Sequence, residues 1–291
     1  MPKVSAVVPT YNNQATIQQC LTSLRFNGVD EVIVVDGGSR DDTLTLVSRF
    51  DGINIVGRNV RPIAKAREIG WRAANNEFIL FLDADAHIQQ NNSVEQLLSH
   101  FTKQIAGVCC RVTCANPNKL LPRLRDIDFR LSYPGEFKRL GKIPCASETV
   151  LCGLFRRKVL EDVEGFTPTL SYAEDLLLLW KLNAAGYTVL TVYDPPALHY
   201  HRENLRAVCL QFYHYGEGHR MLAKVTNAKF YSRQAPPKLA RTIVRSLEEI
   251  HQGRSADLLA YPFYKAIAEI SFLTGFVAES AQSSVPSERG I

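Results

Sequence analysis

Short apolar runs alternate with helix-length amphipathic stretches through the first third of the chain. The runs occupy residues 4–8, 32–35, 53–56 and 78–82, and the helical patterns between and after them cover 14–24, 41–50, 63–74 and 93–101. Runs this short that are apolar at nearly every position read as strands buried on both faces, and alternation with helices predicts a parallel sheet covered on both sides. Right-handed crossovers then predict an α/β fold, a doubly wound, mostly parallel sheet with helices on both faces. Ligands of such sheets bind beyond the carboxyl ends of the strands. The residues there are Pro9-Thr10-Tyr11-Asn12, Asp36-Gly37-Gly38-Ser39 and Asp83-Ala84-Asp85, so polar, turn-forming and acidic groups converge where a ligand is expected.

The pattern weakens over 106–157, where a charged stretch at 123–139 suggests a lobe over the site. Order returns at 155–160, followed by a helix over 174–185, Gly186 as its C-cap and a strand over 187–193. A further helix is expected over 203–220 and more helices over 236–281. This divides the chain into a main domain of 1–220, with halves 1–105 and 106–220, a helical extension of 221–281, and a flexible tail of 282–291. No internal repeat is visible.

Composition narrows the class. At 46% hydrophobic and 22% charged, most of the chain is expected to fold. A net charge of +5 over 291 residues is too small to point to nucleic acid, though it suits an anionic diphosphate or an anionic lipid surface. No apolar stretch reaches the ~18 residues of a membrane span, and the first residues lack the basic and apolar regions of a secretory signal. Seven cysteines show no zinc-site spacing. Cys109, Cys110 and Cys114 lie in an apolar stretch and are expected to be buried thiols, which favours a reducing, cytoplasmic setting.

Two positions carry chemistry on their own residues. In an extended segment Asp83 and Asp85 project to one face and Ala84 to the other. Such hard oxygen donors suit Mn²⁺ or Mg²⁺, the alternative being a solvated turn. Asp36 is placed to accept hydrogen bonds from a base or ribose, while Ser39 or Asp41 caps the next helix. The Gly37-Gly38 turn lacks the G-x-G-x-x-G spacing of dinucleotide folds.

Taken in order, Val7-Val8-Pro9-Thr10-Tyr11-Asn12, Val34-Val35-Asp36-Gly37-Gly38-Ser39-Arg40-Asp41-Asp42-Thr43, Ala66-Arg67-Glu68-Ile69-Gly70-Trp71-Arg72, Phe81-Leu82-Asp83-Ala84-Asp85, and Gly165-Phe166 with Ala173-Glu174-Asp175-Leu176 resemble family 2 glycosyltransferases. Glu68 stands where that family usually has Asn. The resemblance implies a GT-A fold and a donor that is a nucleoside-diphosphate sugar, UDP- or GDP-linked. It places Pro9, Thr10, Tyr11, Asn12, Asp36 and Gly38 around base and ribose, Asp83 and Ala84 near ribose and diphosphate, and Asp85, with Asp83, on the metal. Lys65 and Arg67 either neutralise the diphosphate or are solvated helix charges. Single displacement at the anomeric carbon needs a carboxylate base opposite the leaving group. Asp175, at a helix start where the dipole favours the ionised form, is assigned that role by the resemblance. Glu174 is left to hold the acceptor or neighbouring groups, and one base with one displacement implies inversion. His199 resembles a third metal or diphosphate contact, His201 is the weaker candidate, and Arg202 is within reach of the diphosphate. Gln211-Phe212-Tyr213-His214-Tyr215-Gly216 loosely resembles an acceptor-side motif.

The implied acceptor is a glycan or a lipid-linked molecule. Apolar residues of the last helices, among them Leu259, Phe263, Ile270 and Leu273, either pack on the main domain, form a homo-oligomer contact, or lie on the inner face of the membrane, where basic residues between 224 and 245 suit anionic headgroups. Two other functions compete. A haloacid-dehalogenase-like phosphatase also places Asp-x-Asp after a strand, but normally the first one. A non-catalytic nucleotide-sugar binder would be expected to have lost some of Asp36, Asp83, Asp85 and Asp175.

Overall fold

The four apolar runs form β1 (Val4–Thr10), β2 (Glu31–Asp36), β3 (Ile53–Gly57) and β4 (Phe78–Leu82). The computed structural model describes residues 2–89, 91–132, 150–226 and 257–278. These strands pair in parallel in the order β3-β2-β1-β4, linked by α1 (Ile17–Phe26), α2 (Thr43–Val47) and α3 (Ile63–Ala73). The runs are mostly apolar because alternate residues face two different cores, the exceptions being Ser5 in β1 and the exposed Asn54 in the edge strand β3. Val4, Ala6, Val8, Leu80 and Leu82 pack with Ile17, Leu21 and Leu24 of α1. Val7, Ile33, Val35, Ile79 and Phe81 pack on the opposite face with Ala66 and Trp71 of α3.

The chain continues through β5 (Ala86–Ile88), α4 (Ser93–Ser99), β6 (Ile105–Cys114), α5 (Leu120–Ser132), β7 (Cys152–Arg156), α6 (Arg157–Asp162), α7 (Glu174–Ala184), β8 (Thr188–His199), α8 (Leu205–Val225) and α9 (Asp257–Val277). The sheet extends from β4 as β7-β6-β8-β5. Here β7 runs antiparallel to both β4 and β6, β8 parallel to β6, and β5 antiparallel to β8. The sheet is thus parallel in its first half and mixed in its second.

Several expectations change in that second half. The ten-residue strand β6 lies where the pattern looked irregular. Residues 155–160 straddle β7 and α6. The charged stretch begins as α5, and 133–139 lie outside the described residues. β8 does not stop at Tyr193. It runs on through Asp194-Pro195-Pro196, and its register against β6 shifts between Cys110 and Val112, an irregularity of the kind that tolerates residues without an N–H. His199 is therefore the last residue of a strand, paired with Ala86 and Cys114. Cys109 and Cys110 are buried, whereas Cys114 is half-buried.

The boundary expected at 220/221 falls inside α8. Of the helical extension, α9 is described, while 227–256, 279–281 and the tail over 282–291 lie outside the described residues. α9 packs on α8 and α5 in a third core built from Leu124, Ile127, Phe212, Leu258, Tyr261 and Tyr264. Gly216 and Gly275 allow the crossing of α8 and α9. A Cβ on Gly216 would lie 2.0 Å from the Phe272 carbonyl oxygen, and one on Gly275 would lie 1.9 Å from that of Tyr213. Among the described residues no helix is long and apolar enough to cross a membrane.

Candidate active site

The carboxyl ends of β1 and β2 are laced together by side chains. Asp36, almost fully buried, accepts from the Gly38 N–H at 2.8 Å, the Ser39 N–H at 3.1 Å and the Ser39 hydroxyl at 2.6 Å. Ser39 Oγ in turn accepts from the Asn12 N–H, and Asn12 Oδ1 accepts from the Arg40 N–H. Neither Ser39 nor Asp41 is the N-cap of α2, which is Asp42; Asp41 stands one residue ahead of it and accepts from the Thr43 N–H and hydroxyl. The carboxylate of Asp36 thus shapes the loop after β2.

Tyr11 projects from this loop, 45% exposed. Arg61 lies over its ring with Cζ 3.6 Å from the centroid and donates through Nε to the Gly37 carbonyl at 2.6 Å. A hydrogen bond from Arg61 and its charge hold the Tyr11 hydroxyl below its ordinary pKa. Arg61 escaped the sequence reading, although it follows β3 by a few residues and so obeys the same strand-end rule. Pro9 and Thr10 are buried in the end of β1.

The second half of the site is acidic. Asp83-Ala84-Asp85 is a turn, closed by Ala86 N–H donating to the Asp83 carbonyl at 2.9 Å, and not the extended segment expected. The turn still buries Ala84 in the core and leaves both carboxylates half-buried. Asp83 Oδ1 accepts from Arg67 Nη2 at 2.6 Å, and Arg67 Nη1 donates to Glu174 Oε1. Arg67 is only 2% exposed, so it is neither a solvated helix charge nor a free diphosphate clamp. It is a buried tie between the turn after β4 and the start of α7. Lys65, by contrast, is exposed.

Glu174 is buried, and burial pushes its carboxyl up to about 7 against the pull of Arg67. Asp175 is half-buried at the first turn of α7, after Ala173 in the left-handed region at φ 61°. Glu68 also has a structural task. Its Oε2 accepts from the Trp71 indole at 2.6 Å and from the Phe166 N–H at 2.9 Å, which ties α3 to the Gly165-Phe166 turn.

Asp85 and His199 meet across the gap between the β4 turn and β8, with His199 Nε2 3.3 Å from Asp85 Oδ1. Burial raises the Asp85 carboxyl, but His199 and Arg202 outweigh it and the group is held below its ordinary value. For Asp83 burial wins, helped by Asp85, and the carboxyl sits above its ordinary value in spite of Arg67. Arg202 is exposed, with its charge felt at Asp85.

His199 Nδ1 lies 2.9 Å from His201 Nδ1, so one of these nitrogens donates and the other accepts. His201 is buried and stacks on Phe129 at 5.9 Å, and Asn116 clamps its backbone through two hydrogen bonds of 3.0 Å. Burial, with His199 and Arg125 nearby, drives the His201 pKa down to about 2, so the ring is neutral. His201 therefore sits behind His199 as its orienting partner. This arrangement was hidden in the sequence, where His201 read only as the weaker candidate for the contact given to His199.

The residues present fit a divalent cation. Two ligands bound at right angles, each about 2.1 Å from one ion, stand about 3 Å apart, close to the Asp85–His199 separation. A metal-bound imidazole characteristically has its second nitrogen hydrogen-bonded, as His199 does. Among the described residues no group of three or more protein donors surrounds a cation position. That suits an ion that completes its shell with water and substrate phosphate.

Just ahead of α7, Tyr172 stacks on His214 of α8 at 4.4 Å, and His214 Nδ1 pairs with Glu217 at 2.8 Å. Gln211 donates to the Tyr215 hydroxyl at 3.0 Å, and Tyr215 is reached by the charges of Asp175 and Asp85. The weak motif of α8 thus borders the acidic centre.

Comparison with known proteins agrees with this architecture. The chain is 25% identical over 228 residues to the O-antigen chain rhamnosyltransferase of Salmonella typhimurium, covering 75% of this chain and 72% of that protein. It is 32% identical over 219 residues to the pre-mycofactocin glycosyltransferase of Mycobacterium tuberculosis, covering 70% of this chain and 44% of the longer relative. In structure it resembles the mannosyltransferase from Pyrobaculum calidifontis in complex with GDP-Man and Mn²⁺, with a TM-score of 0.64 at 18% identity over 94% of this chain and 87% of that one. This shows the GT-A fold. Neither the phosphatase nor the non-catalytic alternative finds support. Residues 5–164 match the model of Glycosyl transferase family 2, and the chain belongs to that family of glycosyltransferases.

Proposed function

We propose that the protein is an inverting glycosyltransferase that moves a sugar from a UDP- or GDP-linked donor to an acceptor hydroxyl or phosphate, lipid-linked acceptors included. The observation that carries this reading is the Arg67 bridge, which joins Asp83 of the donor-side turn to Glu174 beside the candidate base. Asp175 takes the proton of the acceptor hydroxyl as its oxygen bonds to the anomeric carbon. The bond from that carbon to the diphosphate oxygen breaks with its electron pair, and the configuration inverts. Tyr11 and the Asp36 loop hold the base and ribose, with Arg61 backing the tyrosine. Asp85 and His199 would hold Mn²⁺ or Mg²⁺, which when bound supplies positive charge to the departing diphosphate. Arg202 adds charge on the same side.

Buried Arg67 keeps the Asp83 turn and the start of α7 in register, so donor phosphate and acceptor base are presented to one space. Asp175→Asn tests the assignment. The variant is expected to bind donor as the wild type does and to lose transfer by about 10²–10⁴-fold. Retained transfer would remove Asp175 as the base.

A further inference from the structure

α9 has two apolar faces. One, with Leu258, Tyr261, Tyr264 and Ala268, is buried against α5 and α8. The other carries Leu259, Phe263, Ala266, Ile270, Leu273 and Val277. Its large members are strongly exposed, from 46% at Leu273 to 75% at Phe263. These positions recur at intervals of 4, 3, 4, 3 and 4 residues, the a/d spacing of a helix that seats a second helix. A helix lying on lipid has a broad apolar arc with Lys or Arg beside it. On α9 the charged groups are engaged within the fold instead. Asp257 pairs with Arg123, and Lys265 pairs with Asp128 and Glu269.

We propose that this seam is a homodimer interface, α9 of one protomer packed antiparallel on α9 of its partner about a twofold axis beside residue 268. The spacing reads the same in both directions, so antiparallel pairing sets Leu259 against Val277, Phe263 against Leu273 and Ala266 against Ile270. Each of the smaller members meets a larger one, which fills the seam evenly. Parallel pairing would set Phe263 on itself and Ala266 on itself, a clash beside a void. The contact is isologous and closes at two copies. Burying the exposed side chains of both copies removes on the order of 1,000 Å² from water, the threshold of a biological interface. The inference rests on α9 alone and does not depend on the transfer chemistry.

Sedimentation equilibrium of the full chain at micromolar concentration tests it. The expected mass is twice the chain's 32.6 kDa, and Phe263→Glu with Ile270→Glu is expected to return the single-chain mass with an unchanged far-UV circular dichroism spectrum. Under oxidation, Leu259→Cys with Val277→Cys is expected to give a covalent dimer above the wild-type background, and Leu259→Cys alone is not. A monomeric wild type, or a dimer that survives the double glutamate variant, would overturn the interface. Cross-linking by Leu259→Cys alone would overturn the antiparallel arrangement. A monomer that pellets with phosphatidylglycerol vesicles, and ceases to in the double glutamate variant, would make lipid the occupant.

Discussion

Arg67 donates to Asp83 at 2.6 Å and to Glu174 across 107 residues of sequence. The two carboxylates belong to different halves of the site, and the guanidinium fork is the group that matches two such acceptors at once.

Replacing Arg67 by Met leaves two carboxylates facing each other without their cation. Removing one partner of a buried charge cluster costs about 3–5 kcal/mol, and a loss of this size is expected in urea denaturation. A loss below about 1 kcal/mol would mean that the bridge does not hold the halves together.

Glu174 gives a pH signature. Burial holds its carboxyl at about 7, above the ordinary 4.5. Between those values the folded chain keeps a proton that the unfolded chain has released, so stability falls as pH rises through the window. Glu174→Gln lacks this dependence. The stability of the wild type relative to the variant is expected to decline from about pH 4.5 to pH 7, measured by denaturant midpoints across that range. A constant difference would contradict the assignment.

The crossing of α8 and α9 gives a packing prediction. In Gly275→Ala the new Cβ would meet the Tyr213 carbonyl at 1.9 Å, and the helices must separate. A cost of about 1–3 kcal/mol is expected from such overpacking. An unchanged midpoint would show that the helices are not in contact there.

His201→Phe keeps a ring against Phe129 and removes the Nδ1 that faces His199. Loss of a group that orients a metal-binding histidine typically costs about 10–100-fold in affinity. Mn²⁺ binding followed by electron paramagnetic resonance with nucleotide present is expected to weaken by that order. Unchanged binding would assign His201 to packing alone.

The first half of the fold was legible because β1, β4 and most of β2 are buried on both faces, so they are almost wholly apolar and the polar residues that follow them stand out. The second half was less so. β6 is interrupted by Gly107 and by Arg111 and Thr113, and β8, legible over 187–193, runs on through two prolines that hid its second half. Asp36, Asp83, Asp85 and Asp175 could be singled out as candidates because they lie just past apolar runs or at a helix start. The Arg67 bridge was not, since within α3 it resembles its neighbours Lys65 and Arg72, and only tertiary structure brings it to Glu174. His201 and Arg61 were obscured for the same reason: their partners come from other elements.

The claim that this is a metal-assisted nucleotide-sugar site is tested most directly by thermal unfolding with UDP-, GDP-, CMP- and dTDP-sugars, with and without Mn²⁺ or Mg²⁺, on the wild type and on Asp85→Ala. A ligand that binds only the folded chain raises the midpoint. The expected result is a rise with UDP- or GDP-sugars that needs the metal and is lost in Asp85→Ala. No rise with any nucleotide sugar, or a rise in the variant equal to that of the wild type, would contradict it.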